Sequence, residues 1–129
     1  MGFTVTFTQK PTYLHAVVTG ENSAENVRSY LKQVQRECKE RKCLRVLIEE
    51  RLDGPRLGIV DVYRIVSEGT VRALGQMEAM AYVDVNAEGD LMKFAEDVAV
   101  HGFLRIAVFS SVPNAEIWLK YLPAGRGQD

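Results

Sequence analysis

The chain contains two histidines and two cysteines, His15, His101, Cys38 and Cys43, so any zinc centre or imidazole or thiolate chemistry would have to be built from them. None falls in a C-x-x-C or H-x-x-x-H spacing, and a structural zinc site needs four such ligands held close together. The pattern predicts no metal site and no cofactor. His101 stands before Gly102 at the expected end of a helix, where a cationic ring complements the helix dipole. His15 falls on the same strand face as Tyr13 and Val17, and sequence spacing supplies no nucleophile to pair with it.

The acids are the second set. Glu49, Glu50 and Asp84 lie at the expected carboxyl ends of two strands, where open parallel sheets bind ligands. Solvated turn acids explain them most simply, although Mg²⁺ asks for few protein carboxylates. An enzyme using one of them as general base would show it as a pocket carboxylate with a raised pKa. A phosphoacceptor receiver is a poor match: its acidic pair follows the first strand and its last strand ends in lysine, where this chain has Ser110-Ser111. Gly54-Pro55-Arg56-Leu57-Gly58 opens a helix whose free N–H groups suit an anion. No Lys-Ser/Thr pair follows it, so it is not a phosphate loop.

These residues need a scaffold, and the hydrophobic pattern supplies one. Phe3, Val5 and Phe7 alternate with Thr4, Thr6 and Thr8, which reads as a strand with one wet face. The alternation also accounts for Met1-Gly2 and Thr6, which fit the loose myristoylation pattern. A turn at Gln9–Thr12 leads into a second strand, Tyr13–Thr19, ended by Gly20, and so short a connection implies an antiparallel hairpin. Asn22-Ser23-Ala24-Glu25 starts a helix to about Arg41, whose apolar stripe is Val27, Tyr30, Leu31, Val34 and Cys38. Arg45–Glu50, with its unbroken apolar centre, reads as a central strand covered on both faces. After a loop at Leu52–Arg56 comes a second helix, with Ile59, Val62, Tyr63 and Val66 as its core stripe. The fourth strand is Met77–Asp84. A third helix from about Asp90 buries Leu91, Phe94, Ala95 and Val98. The fifth strand is Phe103–Phe109, and a last helix from Ser111 turns Ala115, Trp118, Leu119 and Leu122 inward. The predicted order is β-β-α-β-α-β-α-β-α: an α/β fold with a mostly parallel five-stranded sheet, an antiparallel first edge strand and helices on the sheet faces.

The bulk numbers agree with a single domain over 1–123 and a frayed tail at 124–129. At 129 residues, 47% hydrophobic and 26% charged, the chain can bury a core without staples. A net charge of −1 argues against nucleic acid as a partner. No apolar run approaches the ~20 residues of a transmembrane helix, and no secretory signal pattern opens the chain. Two cysteines are too few for a disulfide scaffold, so reduced thiols and a cytoplasmic location are expected.

The second helix carries more apolar surface than one core contact requires. Val60 and Ile65 lie on its flanks, about 100° and 240° from Ile59 at ~3.6 residues per turn, and Leu57 extends the same surface. Such an excess widens the core contact, lines a pocket or marks a contact face.

Four stretches carry a family resemblance over nearly the whole chain: Tyr13–Gly20 (YLHAVVTG), Arg45–Glu50 (RVLIEE), Phe94–Ala99 (FAEDVA) and Ala115–Leu119 (AEIWL). With this element order, the chain resembles the SpoIIAA-like group, the fold of STAS domains, and within it an uncharacterised bacterial STAS-like branch related to the lipid-binding CRAL-TRIO fold. The resemblance implies a regulatory module that works by protein contact. In anti-sigma-factor antagonists the helix after the third strand starts with a phosphorylated serine or threonine. Here no Ser or Thr lies between Cys43 and Val66, so that phospho-switch does not carry over. The location does, as a partner surface formed by Arg56, Leu57, Ile59, Val60, Asp61 and Tyr63. The leading expectation is therefore a non-enzymatic contact module, acting on a protein partner or on itself as a homodimer. The alternative is a carrier or sensor of a small apolar, lipid-like ligand, with Met80, Tyr82, Met92 and Phe94 as pocket wall.

Overall fold

A computed structural model describes residues 2–54, 61, 64–65, 67–68, 78–84 and 105–122. β1 (Phe3–Gln9) and β2 (Leu14–Glu21) form the predicted antiparallel hairpin, and α1 (Ala24–Arg41) follows. β3 (Arg45–Asp53), β4 (Ala79–Val83) and β5 (Arg105–Phe109) come next, and α2 (Val112–Tyr121) ends the described chain. The five strands lie side by side in chain order, β1 antiparallel to β2 and every later pair parallel. This is the sheet that the hydrophobic pattern predicts.

α1 begins where Ser23 accepts a hydrogen bond from the Asn26 N–H at 3.1 Å, satisfying one of the donors that a helix start leaves over. It ends at Lys42, a left-handed residue (φ 55°) whose N–H, with that of Cys43, closes on the last carbonyls. Its stripe is the predicted one: Val27, Tyr30, Leu31, Val34 and Cys38 are buried against Leu14, Ala16 and Val18 of β2 and Val46 and Ile48 of β3. Each Val or Leu so placed contributes about 1.5–3 kcal/mol of transfer free energy. Cys38 and Cys43 are both free thiols, and burial pushes the Cys38 thiol up to about 12.

α2 covers the other face. Ala115 and Leu119 are buried with Leu47, Ala79, Ala81 and Val83, and Trp118 packs on Phe109 with ring centroids 5.7 Å apart. Two polar anchors hold it there. The Tyr13 hydroxyl donates to Glu116, and burial together with that carboxylate keeps the phenol protonated far above its ordinary range. Arg45 donates to the carbonyls of Leu119 at 2.5 Å and Leu122 at 3.1 Å and pairs with Glu78 at 2.6 Å, so a cation satisfies carbonyls at the helix's open C-terminal end. Among the described residues no helix is long and apolar enough to cross a membrane.

The structure corrects the sequence reading at three places. Gly20 does not end β2, which runs on to Glu21. It is a crossing point: at φ 131° a Cβ there would stand 2.6 Å from the Gly2 carbonyl oxygen and 2.7 Å from Phe3 Cα, so only glycine lets β1 lie this close. Leu52 and Asp53 belong to β3 rather than to a loop, since β3 pairs with β2 as far as Glu21↔Asp53; the turn is Gly54 (φ 110°). Ile65, expected on a helix flank, is buried in the α1-side core. Its neighbours Asp61, Arg64, Ser67 and Glu68 are helical, and Glu68 accepts from Arg28 of α1 at 3.0 Å, which places this segment beside α1. The third helix, with Met92, Phe94 and His101, lies outside the described residues, as do Arg56–Val60, Val62, Tyr63 and the tail.

Candidate functional site

Alternation along a strand puts Glu49 and Glu50 on opposite faces. Glu50 shares the α1 side with Val46 and Ile48. There the hydroxyl of Tyr30, itself fully buried, donates to its carboxylate, and the Tyr82 hydroxyl is hydrogen-bonded to that of Tyr30. Burial first, then the Glu50 charge, pushes both phenols far above their ordinary range. They are fixed proton donors, and the three groups form a structural polar cluster under α1.

Glu49 looks to the other face. His15 Nε2 lies 3.1 Å from its Oε1, and Arg51 donates its Nε–H to Oε2 at 2.7 Å. Burial of Glu49 disfavours its charge, but the hydrogen bonds from Arg51 and His15 and the charge of Arg51 outweigh that. The carboxyl is held below its ordinary value of 4.5. Asp84, the third of these acids, is buried just beyond β4, where its N–H donates to the Phe109 carbonyl at 3.0 Å.

The His15–Glu49–Arg51 cluster borders an open patch of sheet, with Arg51 exposed and the His15 and Glu49 side chains largely covered. α2 covers β3, β4 and β5, while on the same face β1 and β2 present Thr4, Thr6, Thr8 and Thr19 exposed and Val17 half-buried. The register arranges these as rows: Thr4 beside Thr19 beside Arg51, Thr6 beside Val17 beside Glu49, and Thr8 beside His15 beside Leu47. The result is a flat surface of β-branched side chains, suited to strands with one wet face, bordered by one charged cluster.

Of the expected site residues, the structure separates Glu49 and Glu50, sets both within β3 rather than at its carboxyl end because the strand runs on to Asp53, and places Asp84 one strand further on. Met80, expected as pocket wall, is packed in the core with Leu14, Val46, Ile48 and Ile65. Tyr82, its companion, sits in the polar cluster. Asp61 is half-buried on the helical segment beside α1. Sequence spacing alone does not join His15 to Glu49 and Arg51. The signal was present in two alternating triplets, Tyr13/His15/Val17 and Leu47/Glu49/Arg51, but joining them requires the parallel register of β2 on β3.

No family model and no curated protein matches this sequence. Among solved structures the chain is similar to an uncharacterised protein of the DUF3478 family with a SpoIIAA-like fold, from Shewanella loihica PV-4. The TM-score is 0.53 at 18% identity, over 92% of this chain and 93% of that one. At that identity the likeness shows the fold alone: this chain has the SpoIIAA-like architecture.

Proposed function

We propose that this STAS-like domain is a non-enzymatic regulatory module that docks a protein partner on the open face of β1–β3. The observation that carries this reading is the exposed face itself: Thr4, Thr6, Thr8, Thr19 and Arg51 stand exposed beside the part of the sheet that α2 covers, with Glu49 fixed among them by His15 at 3.1 Å and Arg51 at 2.7 Å. A general base is most effective with a pKa near the working pH, whereas Glu49 is held below 4.5 by two cationic or hydrogen-bonding partners. A carboxylate so stabilised is a poor proton acceptor and a good fixed charge. The row Thr4–Thr19–Arg51 and the exposed Arg51 guanidinium give the surface polar and charged features by which an interface sets register and specificity.

The test is site-specific photo-crosslinking in the native cells. A benzophenone side chain at Thr19, on the open face, should yield a discrete protein adduct. The same group at Lys32, exposed on α1, should not. Equal adducts from both positions, or none from Thr19, would contradict the assignment.

A further inference from the structure

The geometry points to β1 as a self-association edge: we infer that two copies of this chain pair their β1 strands antiparallel, about a two-fold axis at Thr6, into one continuous sheet. The inference concerns the sheet's edge rather than its open face, and it stands independently of the proposed docking function.

β1 is an outermost strand of the sheet. Sheet edges are normally guarded by charged side chains, proline, bulges or short length, because their unpaired main-chain groups template further pairing. β1 has none of these guards. Phe3–Gln9 (FTVTFTQ) contains no charged residue and no proline, and its register with β2 runs without a bulge from Phe3↔Gly20 to Gln9↔Leu14. The phase of the ladder is also defined. Glu21 N–H donates to the Gly2 carbonyl, so in antiparallel alternation Thr4, Thr6 and Thr8 bond toward β2. Phe3, Val5, Phe7 and Gln9 then direct their N–H and C=O groups outward.

That phase fits a second copy of itself. With Thr6 opposite Thr6, the outward-bonding residues meet one another, Phe3 with Gln9 and Val5 with Phe7, and Thr4 meets Thr8. Paired residues of antiparallel strands point to the same face. Phe3, Val5 and Phe7, half-buried against the α1-side core, would then be covered further by Val5–Phe7 pairs across the seam, an aromatic and β-branched pairing that favours sheets. Both α1 helices fall on one side and both threonine rows on the other. No like charges meet: Lys10 of one protomer falls opposite Gly2 of the other.

The experiment is sedimentation velocity across a concentration series on the full chain and two variants. Thr6 is exposed, so Thr6→Lys keeps the protomer while setting two ammonium groups against each other at the axis. Wild type should be a dimer, and Thr6→Lys should weaken it roughly tenfold or more with an unchanged circular dichroism spectrum. Thr6→Cys, in a Cys43→Ser background, should form a disulfide-linked dimer on mild oxidation, because non-hydrogen-bonded antiparallel partners have Cα atoms about 4.5 Å apart; Thr12→Cys in the same background should not. A monomeric wild type, a dimer indifferent to Thr6→Lys, a Thr6→Cys protein that dimerises without cross-linking, or open-ended polymers in place of a dimer would each overturn the inference.

Discussion

Glu49 and Glu50 are adjacent in the chain, and their surroundings differ in almost every respect. Glu50 lies under α1 against neutral phenols, in a cluster where Tyr30 is fully buried. Glu49 lies on the open face between an imidazole and an exposed guanidinium. One residue of strand alternation decides which side of the sheet each carboxylate occupies, and hence whether it serves packing or surface charge. Two acids in the middle of one strand need not form one site, even where the sequence sets them side by side.

The largest expected effect lies on the Glu50 side. Tyr30→Ala removes a fully buried ring that meets Phe3 edge-on at 6.4 Å. It should cost about 3–5 kcal/mol in denaturant unfolding. Tyr30→Phe isolates the hydroxyl: the ring stays, the Glu50 carboxylate loses a donor, and the expected cost is about 1–3 kcal/mol. Should Tyr30→Phe prove neutral, the polar cluster would not be structural and the contrast between the two acids would fail.

The Glu49 side is sharpened by pH. Its folded pKa lies below the ordinary value of 4.5, so its stabilisation is complete above 4.5 and is lost as pH falls through the folded value. Melting temperature against pH should therefore fall in acid with a component that Glu49→Gln removes. The smallest effect belongs to Arg51→Ala. Arg51 is 63% exposed and its ion pair is partly screened, so stability should change by less than about 1 kcal/mol. The same variant should move Glu49 upward, because Arg51 is the largest of the influences holding it down.

The elements of this fold were legible because their signals are local. The β1 alternation, the α1 stripe ending at Cys38 and the Ser111 cap each depend on a few neighbouring residues, and each appears as expected. What the sequence hid is long-range. Gly20 looks like a terminator because glycine usually breaks strands; only the approach of Gly2 and Phe3 explains it inside β2. An ideal helical wheel puts Ile65 on a flank, but it cannot say which neighbours a helix meets. Joining His15 to Glu49 likewise needed the β2–β3 register, which pattern alone leaves open. Glu49 and Glu50 read as strand-end acids because the apolar run stops before them, whereas β3 continues to Asp53; their division between two faces follows from a period of two that applies to any strand.

The most direct test of the account is a carboxyl ¹³C NMR titration of Glu49 in the folded protein. A midpoint below 4.5, moving up in Arg51→Ala, is the predicted result and fits a fixed charge at the border of a docking face. A midpoint near neutrality would make Glu49 a competent proton acceptor beside His15, and would contradict the non-enzymatic reading.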